Sequence, residues 1–243
     1  MFKKLNKAVI LAAGRGSRLQ KTLKGKPKPL LKIENKSLIR LLIDKLEKLK
    51  IKKIIVVTGF KSQLIKKEIK KNVKFIHYPY FNKTNNLHTL LHIKNELKEP
   101  FLCLFSDVIF EIKILENLLS ANGDIVIAID KNSNLSGTMR VKLNKGYVID
   151  VGNHISLKSS DGNFIGFSKF SQTGAHILRD SLQKFKNSNY NDYYTVSLNK
   201  LIKEKKKVNF VDVGNSYWKE IDTKADYETA KKIYKKIVLR ETN

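Results

Sequence analysis

Apolar runs of strand length alternate with amphipathic helical stretches. This predicts an α/β fold: a Rossmann-like, mixed, mostly parallel central sheet with helices on both faces and a small antiparallel element. Three observations carry the prediction. Lys7–Leu11 (KAVIL), Lys53–Thr58 (KIIVVT), Phe101–Phe105 (FLCLF) and Asp124–Ile129 (DIVIAI) are continuously apolar, as strands covered on both faces are. Between them, stretches such as Ser37–Leu49, with apolar residues at 38, 39, 41, 42, 43, 46 and 49, keep a helical period. Past residue 138, Asn144-Lys145-Gly146 separates two short runs, a hairpin signal.

Taken in order, Lys7–Leu11 is the first strand and leads into a loop over Ala12–Lys28. Ser37–Leu49 is a helix, and Lys53–Thr58 a strand ended by Gly59. Ser62–Lys70 reads as a helix with Ser62 as N-cap. Val73–His77 follows as a strand, Asn86–Leu97 as a helix, Phe101–Phe105 as a strand, Glu111–Leu119 as a helix and Asp124–Ile129 as a strand. Thr138–Leu143 and Tyr147–Val151 form the hairpin, and Phe164–Phe170 is a further strand. Thr173–Phe185 and Thr195–Lys203 are helices, Val208–Val213 and Tyr217–Ile221 strands, and Lys224–Val238 a closing helix. No repeat, proline-rich linker or composition break divides residues 1–243, which predicts one domain.

The chain has 243 residues, 42% hydrophobic and 29% charged, a balance that excludes disorder. Its apolar runs, such as the six residues Ala8–Ala13, fall short of the ~18 needed to span a bilayer. The start Met1-Phe2-Lys3-Lys4 leads into a six-residue apolar run ended by Gly14, too short for the expected core of a signal peptide. One cysteine, Cys103, excludes an internal disulfide and a cysteine zinc cluster, and its place inside an apolar strand reads as inert core. The expected home is the cytoplasm. The net charge is +26, yet only six of the 48 basic residues are arginine and the lysines are spread along the whole chain. That pattern reads as a solvated surface rather than a nucleic-acid reader, with a field that attracts polyanionic small molecules.

The chemistry begins at Leu11-Ala12-Ala13-Gly14-Arg15-Gly16-Ser17-Arg18, directly after the first strand. Glycines there let the backbone approach a phosphate, and exposed N–H groups make an anion nest. Leu19 stands where a dinucleotide fingerprint needs glycine, and no Gly-Lys-Ser/Thr follows for a Walker loop. Arg15, Arg18 and a lysine held between prolines, Pro27-Lys28-Pro29, add cations suited to a triphosphate. Asp107 and Asp222 each follow a predicted strand. Taken singly, Asp107 reads as a turn residue and Asp222 as a helix cap. His88 and His92 lack the glutamate of a zinc-protease motif, and no Gly-x-Ser-x-Gly elbow is present.

Ala8-Val9-Ile10-Leu11-Ala12-Ala13-Gly14-Arg15-Gly16-Ser17-Arg18-Leu19, followed by Pro27-Lys28-Pro29, resembles the signature of the nucleotidylyltransferase superfamily. Those enzymes couple an NTP to a phosphorylated small molecule and release pyrophosphate. Ser106-Asp107, Trp218-Lys219-Glu220-Ile221-Asp222-Thr223 and Asp226 extend the resemblance along the chain. It implies that Leu11, Ala12, Ala13, Gly14, Arg15, Gly16 and Arg18 bind nucleotide, that Arg15 and Lys28 act in catalysis, and that Asp107 and Asp222 hold Mg²⁺.

Thr84-Asn85-Asn86 with Thr89-Leu90 stands where sugar-nucleotide pyrophosphorylases carry Gly-Thr-Ala. The segment resembles the cytidylyltransferases acting on phosphocholine, 2-aminoethylphosphonate or phosphoglutamine, as do Asn163–Phe170 and Gly174-Ala175. Asn85 and Asn86 are accordingly expected to bind nucleotide, with helix capping as the other reading. Lys169, Tyr193 and Trp218 are candidate substrate-binding residues. Tyr190, Tyr193, Tyr194, Tyr217 and Trp218 either cage a quaternary ammonium or pack in the core. Two departures stand out. Gln20-Lys21 replaces the proline after the arginine loop, and Val151-Gly152-Asn153-His154 replaces a Glu-Lys-Pro lysine, so a second catalytic lysine is unassigned.

The resemblance implies a CTP-dependent cytidylyltransferase that moves CMP to a phosphorylated or phosphonate small molecule in cell-surface polysaccharide or phosphonate biosynthesis. Its expected partners are CTP, Mg²⁺ and the acceptor, with no specific nucleic acid and no membrane insertion. A sugar-1-phosphate nucleotidylyltransferase and a non-catalytic nucleotide-binding module are the alternatives.

Overall fold

The computed structural model describes residues 5–69, 72–132, 139–187 and 189–242; the predictions for Met1–Lys4, for a helix reaching Lys70 and for a strand starting at Thr138 lie outside these. The first half runs β1 (Lys7–Ala12), α1 (Gln20–Leu23), β2 (Lys32–Ile33), β3 (Lys36–Ser37), α2 (Leu38–Lys48), β4 (Lys53–Thr58), α3 (Ser62–Glu68), β5 (Lys74–His77), α4 (Asn86–His92), β6 (Phe101–Phe105), β7 (Val108–Phe110), α5 (Ile112–Ser120) and β8 (Ile125–Asp130). The second half runs β9 (Met139–Asn144), β10 (Tyr147–Gly152), β11 (Gly162–Phe170), α6 (Gln172–Gln183), α7 (Thr195–Lys203), β12 (Asn209–Asp212), β13 (Trp218–Glu220) and α8 (Lys224–Thr242).

β6, β1, β4 and β5 lie side by side in parallel, and β12 runs parallel to β8. Between these groups runs β11, antiparallel to β6 through its last residues, to β9 through its first, and to β8 through both. The β9–β10 hairpin closes that edge. The sheet is thus mixed, with the parallel strands around β1.

The apolar runs are continuous because both faces are covered. Val9, Leu11, Val57, Cys103 and Ile127 face a core shared with α4, α6 and α7. Ala8, Ile10, Val56, Leu104 and Val126 face the opposite core, shared with α2, α3 and α5. Alternate residues of one strand therefore bury into different layers, and neither set can be polar. A third cluster, Leu19, Leu23, Leu31, Ile33, Ile109, Ile221, Ala230 and Ile237, packs α8 under the loop after β1.

The structure corrects four local expectations. The loop after β1 carries a 3₁₀ turn over Ser17–Leu19 and the short α1. Asn86–Leu97 is two pieces, α4 and a 3₁₀ turn at Lys94–Glu96. The N-cap position of α3 is Lys61, at φ 45° and with no side-chain cap, so Ser62 is the first helical residue. Val108–Phe110, to which the sequence assigns no element, is β7, and it pairs antiparallel with β13.

Candidate active site

A cleft of about 420 Å³ opens at the C-terminal ends of β1 and β6, lined by the loop from Leu11 to Arg18, Lys28, Asn85, Asn86, Asp107, Tyr193, Glu220 and Asp222 among others. Parallel strands end together here, which is where open α/β sheets place ligands. Ser106 Oγ donates to the Leu11 carbonyl at 2.9 Å and ties the two strand ends. Beyond β1 the chain makes a tight loop: the Leu19 amide donates back to the Gly16 carbonyl at 3.0 Å. Gly16 has φ +63°, and a Cβ there would lie 2.8 Å from Lys28 Cβ. The glycine thus serves both the left-handed turn and the close approach of the lysine. Gly59 answers a second close approach, since its Cβ would meet Phe81 Cβ at 2.6 Å and the Ala13 carbonyl at 2.7 Å. The guanidinium of Arg15 lies over the Phe60 ring, 5.4 Å from its centroid.

Lys28 opens a 3₁₀ turn held between Pro27 and Pro29 and is buried. Its ammonium donates to Asp107 Oδ2 at 2.6 Å and to Asp222 Oδ1 at 2.7 Å. Arg18 approaches the other oxygen of Asp222 at 2.9 Å. Burial alone would lower the Lys28 pKa; the charges and hydrogen bonds of Asp107 and Asp222 outweigh it and hold the lysine protonated above its ordinary range.

The two acids owe their convergence to the β7–β13 ribbon. Val108 pairs with Glu220, and the Ile221 amide donates to the Asp107 carbonyl at 3.0 Å. The helix-cap reading of Asp222 does not hold. Thr223 and Asp226 cap α8 reciprocally, Asp226 N donating to Thr223 Oγ1 at 3.1 Å and Thr223 N to Asp226 Oδ2 at 2.9 Å. The Asp222 carboxylate is turned to the cations instead.

Glu220, the last residue of the short β13 and two positions before Asp222, enters the site without a sequence signal of its own. Its carboxylate joins Asp107 and Asp222 in a group whose oxygens lie within 4.8 Å of one another. Burial, with the negative charges of Asp107 and Asp222, pushes its pKa up to about 8, against the smaller pull of Lys28 and Arg18. The cluster fits a divalent cation on two counts. A cationic ammonium already bridges the two aspartates, and the buried Asp107 Oδ1 accepts no hydrogen bond among the described residues. Three carboxylates are a hard-oxygen donor set of the type Mg²⁺ takes.

Other expected residues are placed differently. Asn85 and Asn86 line the cleft, but their side chains bond protein. Asn85 Oδ1 accepts from the Asn86 amide at 2.8 Å, and Asn86 Oδ1 accepts from the Tyr194 amide at 2.7 Å. Lys169 is outside the cleft lining; its buried ammonium donates to the carbonyls of Ala121 and Leu119 at the end of α5, and burial lowers its pKa. Trp218 donates its indole N–H to Asp130 Oδ2 at 2.7 Å, also away from the lining. The aromatic cage does not assemble. Tyr194 is fully buried with its hydroxyl on Ser168, Tyr190 is exposed, and Tyr217 packs under Arg240, leaving Tyr193 as the member that lines the cleft. Cys103 is buried, and burial pushes its thiol pKa up, as expected of inert core.

A glycine-rich loop after the first strand, a buried lysine and converging acids at the carboxyl ends of a parallel sheet define a nucleotidyltransferase. The chain belongs to the MobA-like NTP transferase domain family, whose sequence profile matches residues 8–144. It is 28% identical to the CTP:phosphoglutamine cytidylyltransferase of Campylobacter jejuni, over 91% of this chain and 97% of that protein. It is 27% identical to the bifunctional IPC transferase and DIPP synthase of Aquifex aeolicus, over 96% of this chain and 53% of that longer protein. The fold matches the inositol-1-phosphate CTP transferase of T. maritima with a TM-score of 0.83 at 18% identity, covering 98% of both chains. It matches the CTP:phosphocholine cytidylyltransferase of Streptococcus pneumoniae with 0.77 at 22% identity, covering 96% of this chain and 100% of that one. No described helix is long and apolar enough to cross a membrane.

Proposed function

We propose that this nucleotidyltransferase, acting as one domain, transfers CMP from CTP to a phosphorylated or phosphonate small molecule. The acceptor oxygen attacks the α-phosphorus, the bond from that phosphorus to the bridging oxygen breaks, and pyrophosphate leaves with the bonding pair. The observation that carries the reading is Lys28 bonded to both Asp107 and Asp222 beside the Gly14–Arg18 loop. The choice of CTP is supported by the likeness to the CTP:phosphoglutamine cytidylyltransferase, which covers 91% of this chain and 97% of that protein.

The nucleophile is already anionic, so the chain supplies position and charge rather than proton transfer. Backbone N–H groups of Gly14–Arg18, with Arg15 and Arg18, hold the triphosphate. Lys28 places its ammonium against charge that develops on the α-phosphoryl group and the leaving pyrophosphate. Asp107, Asp222 and Glu220 are the residues that would hold Mg²⁺, which when bound adds positive charge at the phosphate oxygens. The scattered aromatics disfavour a bare quaternary ammonium in the acceptor, because such a group needs several ring faces around it. An acceptor with hydrogen-bonding groups fits better, the phosphoglutamine class among them.

Pyrophosphate release with four NTPs against phosphoglutamine, 2-aminoethylphosphonate, phosphocholine, inositol-1-phosphate and glucose-1-phosphate tests the reading. CTP with a non-sugar acceptor should give the highest kcat/KM. Equal turnover of UTP with glucose-1-phosphate would move the protein to the sugar branch, and no turnover of any pair would make it a binding module.

A further inference from the structure

The N-terminus of α4 grips one particular loop. Asn85 N donates to the Tyr190 carbonyl at 2.7 Å, Asn85 Nδ2 to the Asn191 carbonyl at 3.3 Å, and Leu87 N to the Asp192 carbonyl at 3.4 Å. Asn86 Oδ1 accepts from the Tyr194 amide at 2.7 Å. Next to that contact Tyr194 is fully buried and its hydroxyl bonds Ser168 at 2.7 Å, so the far end of the loop is fixed to the sheet.

The gripped loop borders two cavities. Tyr193 lines both the nucleotide cleft and a second pocket of about 230 Å³. That pocket is walled by Asn191, Asp192 and Thr195 from the loop side and by Gly152, Asn153 and His154 from the end of β10. Its two walls are tied by Asn199, which accepts from the Val151 amide at 2.9 Å and donates to the Val151 carbonyl at 3.0 Å. Beside Val151 and Val196, the lining offers amide, hydroxyl, imidazole and carboxylate groups. It suits the hydrogen-bonding tail of an acceptor whose phosphate lies in the cleft.

We infer that Asn86, assisted by Asn85, is a positioning residue for the acceptor pocket and not a reader of the nucleotide base. This rests on the CTP-dependent transfer proposed above. The Asn86 carbonyl oxygen is already used on the Tyr194 backbone, and what it sets is the placement of Tyr193 and of the polar wall behind it.

Asn86→Ala and Asn86→Asp separate the two roles. Aspartate keeps the acceptor oxygen for the Tyr194 amide and removes the NH₂ donor that a base reader would use. The ratio of kcat/KM for CTP to that for UTP reads base discrimination, and a new charge cancels between two identical triphosphates. With the best acceptor of the panel, Asn86→Ala should raise acceptor KM about tenfold, the scale of one buried hydrogen bond. The CTP/UTP ratio should stay within about twofold in both variants, and Asn86→Asp should recover most of the acceptor KM. Amide hydrogen exchange over residues 189–194 should quicken in Asn86→Ala and not in Asn86→Asp. A CTP/UTP ratio that collapses in both variants, or an unchanged acceptor KM in Asn86→Ala, overturns the inference. If Asn86→Ala fails to fold, the CTP/UTP ratio of Asn86→Asp decides alone. If the wild type turns over no acceptor, the proposed function fails. The CTP and UTP affinities of the two variants, by calorimetry, then still decide between loop clamp and base reader.

Discussion

Replacing Lys28 with methionine keeps most of the side-chain volume and removes the charge that bonds Asp107 and Asp222 at 2.6 and 2.7 Å. Deleting one partner of a fully buried ion pair costs ~3–5 kcal/mol, most of it the penalty of the stranded charge. Here the two carboxylates keep 22% and 19% exposure, and Arg18 stays on Asp222 at 2.9 Å. Water and Arg18 both soften the loss and bring it to or just below the bottom of that range, roughly 2–3 kcal/mol. For a chain of this size that is a melting temperature lower by roughly 4–12 °C in EDTA. The variant also presents three carboxylates with no ammonium competing for them, so Mg²⁺ should raise its melting temperature more than it raises that of the wild type. In steady state, kcat should fall by ~10²-fold or more while KM for CTP changes less, since the lysine acts most where charge is reorganising. Lys28→Arg should not restore turnover, because a planar fork cannot take the place of a point charge between two carboxylates. Scanning fluorimetry with and without Mg²⁺, beside pyrophosphate-release kinetics, reads all of this. A Lys28→Met protein melting within 2 °C of wild type in EDTA, with unchanged kcat, would refute the reasoning.

Asp107→Asn and Asp222→Asn should each lower kcat by ~10²-fold with the fold retained by circular dichroism; near wild-type turnover in either removes the paired-carboxylate site. Glu220 has a folded pKa of about 8 against an ordinary 4.5. The native state therefore holds a proton that the unfolded chain releases across that window, and metal-free stability falls as pH rises from about 4.5 to 8. Glu220→Gln should flatten that fall, read as the melting-temperature difference from wild type at pH 5 and pH 8; a constant difference contradicts it. Gly16→Ala meets φ +63° and a Lys28 Cβ 2.8 Å away. It should lower stability by about 1–2 kcal/mol and reduce kcat, and wild-type kcat would show that Lys28 tolerates displacement.

How far the sequence could be read depended on whether the governing contacts were local. β1, β4, β6 and β8 are announced by apolar runs because each strand feeds two cores at once. The Gly14–Arg18 loop and Lys28 are legible because glycine and proline state their backbone geometry themselves. β7 is three residues long and has no period to detect. Glu220 lies on the equally short β13, and its role comes from pairing with Val108, more than a hundred positions earlier. The asparagines stand out by their position before a helix, but the loop they hold lies at a sequence distance of 105 to 108 residues. Lys169 and Trp218 carry the right chemistry at the wrong depth: one closes the end of α5 and the other bonds Asp130.

Lys28 and Asp222 are 194 positions apart, and the ribbon that brings Asp222 to Asp107 is completed by β13, with α8 packed against it. The order in which a ribosome delivers the chain therefore has a chemical meaning. A nascent chain that has emerged only through β7 already owns the glycine loop, Lys28 and Asp107, but neither Glu220 nor Asp222. Such a chain has the loop and lysine proposed to hold phosphates and lacks the residues that complete the carboxylate set. On the proposed mechanism, transfer chemistry should become possible only when β13 docks on β7, late in synthesis. Any cut that frees the segment from Trp218 onward should silence the enzyme while leaving most of its sheet intact.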